Sequence, residues 1–411
     1  MPRRSEPIHG DSVITPRFVL VVTAGLLYFF SLGMLLPVVP LFVEGPLDSG
    51  KLAVGVAVGA FSVGAIVLRP WAGIMGDRIG RRVLIIGGAV VVAASAGLYH
   101  VASGVTSLVV IRVLGGIGEA AFFVGAGTMV TDLAPEERRG EAISYWSVAV
   151  YGGLALGPWL GESLACRDAS ASCADGDFGI VWTVSAALAL AAGAIGVFTR
   201  ETAPRFDRTA PRPRTKLLHP AALLPGTVLF LGLIGLAGYT SFVALYVREI
   251  GMRDSRGVLA LYAVVILAVR ILGARIPDRI GPVRAATFAT TTGAAGLVVI
   301  AAVGTPVGLY VGTAVFAFGM SLLYPAMMML ALAGLPPSER GSAVGTVSSF
   351  FDLSQGVGAA VLGGVADATS YQGGFLAAAG LTLAGLAVLR VGTARRAGEP
   401  SVAGDGVATA P

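Results

Sequence analysis

Long apolar stretches recur along the whole chain and restrict what it can fold into. A helix that crosses the hydrocarbon core of a bilayer needs about 20 mostly apolar residues. The sequence holds twelve such stretches, near 18–43, 52–76, 83–101, 105–131, 141–162, 178–198, 222–247, 256–276, 284–303, 306–333, 342–365 and 373–391. Only 13% of the residues are charged, against roughly 25% in a soluble domain. We therefore predict an all-α integral membrane protein with twelve transmembrane helices.

Matching residues 201 positions apart divide the chain in two. Residues 77–80 (Asp-Arg-Ile-Gly) recur at 278–281, and other single residues match at the same offset, among them Arg69 with Arg270, Gly118 with Gly319 and Gly157 with Gly358. Several independent matches at one offset indicate a tandem repeat. We predict two pseudo-symmetric six-helix halves at 18–199 and 222–392. A linker at 200–221 joins them, and tails at 1–17 and 393–411 flank them.

The basic residues predict the orientation. Most of the 29 Lys and Arg residues, Arg69 and Arg270 among them, fall on the side of the two termini. The opposite side holds Lys51, Arg167, Arg248, Arg253 and Arg256, and Arg112 lies within a helix. Loops rich in Lys and Arg stay in the cytoplasm. We therefore expect both termini in the cytoplasm of a bacterium, with the chain in its inner membrane. Membrane topology explains the net charge of +5, so we expect no nucleic-acid partner.

The two cysteines, Cys166 and Cys173, both fall in the outward loop between the fifth and sixth stretches. Disulfides persist on that side of a membrane, so the two thiols either form a disulfide or remain free. The three histidines are scattered, and no Cys/His spacing suits a metal ion. We expect no metal site and no cofactor.

Residues 73–82 form a polar run between the second and third stretches and read Gly-Ile-Met-Gly-Asp-Arg-Ile-Gly-Arg-Arg. Gly73 and Gly80 permit a tight turn and close helix approach, and Asp77 can accept hydrogen bonds from a helix N-terminus. The arginines (Arg78, Arg81 and Arg82) can face lipid headgroups or helix C-termini. A purely topogenic basic loop would explain the arginines alone.

Taken with the span count and the repeat, this run resembles the G-x-x-x-D-R-x-G-R-R signature of the major facilitator superfamily of secondary transporters. The resemblance covers nearly the whole chain. It implies a gating loop in which Asp77 meets the start of helix 11, near Ser342, and latches the outward-facing state. The second copy is decayed, since Ala274, Pro282 and Val283 stand where Gly73, Arg81 and Arg82 would be.

Arg112 in the fourth stretch begins an R-x-x-x-G-x-G sequence that resembles the family's proton-coupling motif. A charge inside a membrane helix is a functional candidate by default. Glu119 follows seven residues later, on nearly the same helical face. Arg112 and Glu119 are thus proton-coupling candidates, or else a static buried ion pair that fixes helix packing.

Gly153, Gly157, Pro158 and Gly161 in the fifth stretch resemble the family's antiporter motif, with Glu162 in place of its last glycine. Glycines spaced by four share one face and allow close backbone contact. Ordinary small-residue packing would give the same spacing. The motif favours export over uptake.

Asp352 and Gln355 interrupt the apolar stretch of helix 11, in a segment that resembles part of the drug- and sugar-efflux branch of the family. Asp352 is a further candidate for protonation, with a structural hydrogen-bond role as the alternative. Cavity candidates are Tyr28, Phe122, Tyr239, Tyr324 and Gln355, although aromatic residues are equally suited to packing or to contact with lipid.

The function that these features favour is proton-coupled export of a small drug-like or amphiphilic molecule by alternating access. The resemblance implies a multidrug-resistance-type antiporter that binds its substrate and protons, and we expect it to function as a monomer. The alternatives are proton-coupled uptake by symport and, less favoured, a non-transporting membrane sensor. No set of residues suggests an enzyme.

Overall fold

The fold was obtained as a computed structural model that describes residues 13–135, 138–166, 177–203, 218–272, 279–335 and 337–398. The described residues form twelve long helices, namely α1 Pro16–Glu44, α2 Lys51–Ile79, α3 Arg81–Leu98, α4 Val105–Leu133, α5 Arg139–Ala165, α6 Phe178–Phe198, α7 Pro220–Glu249, α8 Arg256–Leu272, α9 Pro282–Val303, α10 Pro306–Leu332, α11 Pro337–Ala368 and α12 Tyr371–Gly398. They confirm the predicted fold class, with α1–α6 as the N-terminal half and α7–α12 as the C-terminal half.

Several of these helices begin where a capping side chain precedes a proline. Thr15 accepts from the backbone N–H of Phe18 at the start of α1, and Thr305 accepts from Gly308 at the start of α10. Both helices have proline in their first turn, where the missing N–H is not needed. The brief break before α10 is a true boundary, because Gly304 adopts φ +57° and ends α9.

Consecutive helices run in opposite directions, which gives the bundle two faces. We call the face where α1 begins and α12 ends the terminal face, and the opposite one the distal face. At the distal face, Tyr371 at the start of α12 donates to Glu44 at the end of α1, with 2.9 Å between the oxygens. Under the predicted orientation, the terminal face is the cytoplasmic one.

The helices are longer than the sequence predicts near the signature run. α2 continues to Ile79, and Gly80 alone separates it from α3. Gly80 adopts φ +108°, a conformation that favours glycine. The expectation of a turn or a close helix contact at Gly73 is wrong, because Gly73 lies within α2 and a Cβ built there would meet no atom within 4 Å.

Nine of the described helices are long and apolar enough to span a membrane. The three others are α5, α8 and α11. α8 has only 17 described residues, and α5 and α11 carry the buried acidic residues Glu162 and Asp352. All three pack against the opposite half of the molecule, where a helix meets protein as well as lipid and tolerates polar side chains.

Glycines allow the helices within each half to pack backbone against backbone. A Cβ built at Gly116 of α4 would overlap the carbonyl oxygen of Phe61 in α2, and one at Gly64 of α2 would overlap the carbonyl oxygen of Val113. Such small-residue contacts stabilise helix pairs in membranes, where the hydrophobic effect does not drive association.

We expect Gly116→Ala to destabilise the protein strongly. The new methyl group would meet backbone atoms of Phe61 and Ala65, which cannot rotate away, and overpacking of this kind costs about 1–3 kcal/mol. The matched control is Gly97→Ala in α3, where the new Cβ would meet nothing within 4 Å. The control should be neutral or gain up to ~1 kcal/mol of helix propensity. Thermal unfolding of the two purified variants checks this, and equal unfolding temperatures would contradict it.

The two halves meet along α2 with α11 and along α5 with α8. Toward the distal face, α2 and α11 are in backbone contact at Gly55 with Ala359 and at Gly59 with Gly356. Toward the terminal face, a Cβ at Gly73 of α2 or at Gly345 of α11 would meet no atom within 4 Å. The halves are therefore closed on each other at the distal face.

Candidate functional site

Arg69 links three helices from the two halves through its guanidinium group. Its Nε lies 2.8 Å from Oδ2 of Asp352 in α11. Its Nη2 lies 3.1 Å from Oε2 of Glu119 in α4 and 3.4 Å from Oε1. The side chains of Arg69, Glu119 and Asp352 are 12%, 10% and 9% exposed. We call these three residues the Arg69 cluster.

With both carboxyls ionised, the Arg69 cluster carries one positive group and two negative ones. The phenyl ring of Phe123 covers the guanidinium, with 5.0 Å from its carbon to the ring centroid. A buried charge that lacks a full counter-charge is costly. One added proton on either carboxyl would make the cluster neutral.

The bridge between the halves within this cluster depends on charge more than on directional hydrogen bonding. Arg69 Nε and Asp352 Oδ2 are close in space, yet neither atom has a partner in hydrogen-bond geometry. Glu119, by contrast, accepts hydrogen bonds from Arg69 within the N-terminal half. Loss of charge on Asp352 would therefore remove the attraction that this bridge provides.

Arg112 does not pair with Glu119, so the alternative of a static ion pair between them is wrong. The Nε of Arg112 donates to the carbonyl oxygen of Ala57 at 3.0 Å, and Nη2 donates to that of Val58 at 3.1 Å. The ring of Phe61 lies 4.7 Å from the guanidinium carbon. Arg112 thus fastens α4 to α2, and Glu119 takes Arg69 as its partner.

Arg69 itself was not predicted as a site residue, because it was placed with the basic residues near one face of the membrane. The structure puts it inside the bundle, ten residues before α2 ends at Ile79. Its match with Arg270 at the repeat offset is a sequence signal that could have identified it.

The predicted cavity candidates are largely packed. Tyr28 stacks on Phe122 with 3.7 Å between ring centroids, and both rings are fully buried. The hydroxyl of Tyr239 pairs with Thr313 at 3.1 Å. Tyr324 packs edge-on against Phe351. The amide nitrogen of Gln355 is buried without a hydrogen-bond partner.

At the terminal face, Glu201 caps the start of α3. Its carboxylate accepts from the backbone N–H groups of Arg81 and Arg82 at 2.9 and 3.1 Å. Partial burial raises the pKa of Glu201, but backbone hydrogen bonds outweigh this and lower its pKa below the usual value. The cap is therefore charged at neutral pH and is lost only as the pH falls through the lowered pKa. Sequence reasoning missed Glu201.

The other residues of the signature run lie around this cap. Arg81 forms an ion pair with Asp132 at the end of α4, and a Cβ at Gly80 would overlap the Glu201 carboxylate. Arg78 is exposed near the end of α2. The side chain of Asp77 and the start of α11 near Ser342 lie outside the described side chains, so the latch between them stays a prediction.

The glycines of the α5 motif all face α1. Cβ atoms built at Gly153, Gly157 and Gly161 would overlap backbone atoms of Phe30, Gly33 and Met34 in turn. Pro158 lies inside α5. The motif therefore holds α5 against α1 within the N-terminal half, and the last residue of the pattern, Glu162, makes a different contact.

Glu162 joins the halves at the distal face. Its carboxylate accepts from the backbone N–H of Ser255 at 2.9 Å and from the Ser255 hydroxyl at 2.6 Å. Ser255 directly precedes α8, so Glu162 of one half caps a helix of the other. A second distal contact pairs Lys51 with the carbonyl oxygen of Ala366 at 3.3 Å and with the ring of Tyr371.

We expect Glu162→Ala to open the distal face more readily. Loss of an N-cap costs about 0.5–2 kcal/mol, which corresponds to a population shift of about 2- to 30-fold toward the separated state. A cysteine introduced by Ala359→Cys, in the α2–α11 contact, should then react faster with a membrane-impermeant maleimide. Ser163→Ala, one residue away, is the matched control and should not change the rate. Equal labelling of the two variants would show that Glu162 does not hold the face closed.

Cys166 ends α5, is buried and is disulfide-bonded. Cys173 lies outside the described residues, so its pairing with Cys166 stays a prediction. Within the described part of the chain, no group of His, Cys, Asp and Glu side chains is placed to hold a metal ion.

Two six-helix halves with buried charges at their contact define a multi-pass membrane protein of the transporter class. The sequence matches the family profile of the Major Facilitator Superfamily over residues 21–331 and 258–409. The chain therefore belongs to this superfamily of membrane transporters, whose members bind small-molecule substrates. The family assignment indicates a membrane transporter rather than an enzyme.

Known relatives agree with this assignment. An uncharacterized MFS-type transporter of Salmonella typhimurium is 33% identical over 394 residues, which cover 93% of this chain and 97% of the relative. Bacterial relatives of this kind indicate the inner membrane. The fold is similar to that of the human organic anion transporter TETRAN (TM-score 0.68, 20% identity, 92% and 100% coverage). It is also similar to that of the nucleoside transporter NupG (TM-score 0.74, 12% identity, 91% and 99% coverage).

Proposed function

We propose that the protein exports a small organic molecule in exchange for protons, by alternating access, as a monomer with both termini in the cytoplasm. The observation that carries this proposal is the Arg69 cluster. It joins the two halves through a charge bridge that a single proton can neutralise. Secondary transporters of this kind work by rocking one half against the other around a central site.

The Arg69–Asp352 bridge is present in the distal-closed state of this structure, in which α2 and α11 are in contact. When the distal face opens, the distal parts of α2 and α11 separate, and the carboxylates become open to protons from outside. When it closes again, the guanidinium of Arg69 returns to Asp352 and competes with the proton. The proton then leaves toward the terminal face, and export in exchange uses the free energy of this inward proton movement.

This scheme satisfies the thermodynamic requirement for coupling. A proton shifts the balance of two states only if it binds one of them more tightly. The guanidinium of Arg69 faces Asp352 in the distal-closed state and moves away with α2 in the distal-open state. The affinity of Asp352 for a proton therefore differs between the two states.

Proteoliposomes test the proposal with three labelled probes, namely ethidium as a cation, chloramphenicol as a neutral compound and benzoate as an anion. We expect at least one probe to move against the direction of an imposed proton gradient, and movement to stop when an ionophore collapses that gradient. If none of the three responds to the gradient in either direction, the proposal of proton coupling is wrong.

Uptake by symport is the second candidate. Glu162 favours it, because it replaces the last glycine of the antiporter-like pattern and makes an inter-half contact instead. The same assay separates the two candidates. A probe that moves with the protons, from the acidic to the alkaline side, identifies a symporter.

A further inference from the structure

The repeat offset relates the Arg69–Asp352 contact to a second contact between the halves. Arg69 corresponds to Arg270, and Asp352 corresponds to Tyr151, both at 201 positions. Arg270 and Tyr151 do meet, since the guanidinium carbon of Arg270 in α8 lies 3.5 Å from the ring centroid of Tyr151 in α5. The two interfaces between the halves thus place a guanidinium at equivalent positions. Arg69 faces the carboxylate of Asp352, and Arg270 faces the phenol of Tyr151.

Arg270 differs from Arg69 in its charge balance. Among the residues that the structure describes, no carboxylate lies within ion-pair distance of Arg270, and its buried Nε has no hydrogen-bond partner. A cation inside a membrane protein normally pairs with an acidic group or marks a substrate pathway. The equivalent position in the other half shows which chemistry the site accommodates, because there a carboxylate binds the guanidinium.

Aromatic side chains extend from Arg270 into the C-terminal half. Tyr262 precedes Arg270 by eight residues on α8. It stacks on Tyr239 at 5.3 Å between ring centroids and lies 6.3 Å from Phe316. A planar apolar group would pack well against such rings, through offset or edge-on contacts.

We propose that Arg270 binds the acidic group of the transported molecule, so that the cargo is a small organic anion, with an aryl carboxylate as the best fit. The guanidinium binds the carboxylate through two parallel N–H donors, and the rings of Tyr151 and Tyr262 contact the body of the molecule. This inference names the substrate class of the proposed function and rests on the protein being a transporter. It does not depend on proton coupling.

Binding to the purified protein in detergent, without any gradient, tests this inference. Thermal unfolding is measured over a concentration series of benzoate, phenylacetate and hexanoate, with benzamide as the uncharged analogue of benzoate. We expect at least one carboxylate to stabilise the wild type. Benzamide should bind at least about tenfold more weakly than benzoate. Arg270→Gln should weaken carboxylate binding by about tenfold or more. Arg390→Gln, an exposed arginine on α12, is the matched control and should bind as the wild type does.

Tyr151→Asp provides an independent test should Arg270→Gln fail to fold. This substitution places a carboxylate opposite Arg270, as Asp352 stands opposite Arg69. We therefore expect a folded protein that no longer binds benzoate. Tyr151→Phe should retain binding. The inference is overturned if no carboxylate stabilises the wild type, if benzamide matches benzoate, or if folded Arg270→Gln or Tyr151→Asp binds benzoate with unchanged affinity. A protein that binds benzoate but shows no gradient-driven flux would contradict proton coupling alone.

Discussion

Asp352→Asn is expected to weaken the coupling between the proton gradient and transport strongly while leaving a folded protein. The amide keeps the shape of the side chain, but it neither binds a proton nor carries the charge that attracts Arg69 across the two halves. Coupling free energies between sites are about 1–3 kcal/mol, or about 5- to 150-fold in affinity, so the gradient-driven rate should fall by a factor in this range. Gradient-driven flux and downhill exchange are measured side by side in proteoliposomes. Downhill exchange should persist, since alternating access itself does not require the proton.

Two variants serve as controls for this expectation. Ser354→Ala lies on the same helix, and among the described residues the Ser354 hydroxyl bonds only to the carbonyl oxygen of Phe351 within it, so coupling should be unchanged. Glu119→Gln separates the roles of the two carboxylates, because Glu119 binds Arg69 from within the N-terminal half. If Asp352→Asn retains full gradient-driven flux and Glu119→Gln loses it, the proton resides on Glu119 and the inter-half bridge is not its release mechanism.

The fold was predictable because its main determinants are local. Apolar stretches of membrane-spanning length specify the helices, and residues such as Gly304 and Pro306 mark the breaks between them. The contact of the α5 glycines with another helix was likewise predictable from their spacing by four. These signals depend on residues that are close in sequence, so a single chain shows them directly.

The candidate site was only partly predictable. Glu119 and Asp352 were identified because a carboxyl inside an apolar stretch is conspicuous. The alternative of an ion pair for Glu119 named the wrong partner, because spacing along one helix favoured Arg112, whereas tertiary packing directs Arg112 to the carbonyl groups of α2. Arg69 was assigned to the membrane surface. The structure places it inside the bundle because α2 continues for ten residues beyond it, and where a helix ends depends on its packing.

The contacts between the halves were beyond sequence reasoning for a different reason. Glu162 and its partner Ser255 are 93 positions apart, and nothing in either local sequence indicates the other. The repeat does carry information of this kind, since equivalent residues occupy equivalent interfaces. The repeat makes the pair Arg270 and Tyr151 equivalent to the pair Arg69 and Asp352. Only the structure shows that the two residues of each pair are in contact.

Arg69→Met is expected to cause the largest loss of stability of any single substitution in the cluster. It removes the only cation that the structure shows paired with Glu119 and Asp352, and leaves two buried carboxylates without that counter-charge. Breaking a buried pair by removing one partner costs about 3–5 kcal/mol. Acidification should partly rescue the variant, because a neutral carboxyl is far less costly to bury than a charged one. The midpoint of thermal unfolding in detergent, measured from neutral to acidic pH, checks both the loss and the rescue.

The triple variant Arg69→Met, Glu119→Gln and Asp352→Asn distinguishes charge from packing as the cause. It keeps the volume of the cluster but removes all three charges, so it should recover most of the stability that Arg69→Met loses, as uncharged replacements of buried ion pairs often do. Its unfolding midpoint should also be insensitive to acidification over the range that rescues the single variant. A triple variant as unstable as Arg69→Met would mean that the methylenes of Arg69, packed beside Phe123, matter more than its charge. The proton-release scheme would then lose its physical basis, because a bridge that contributes no electrostatic attraction cannot be weakened by a proton.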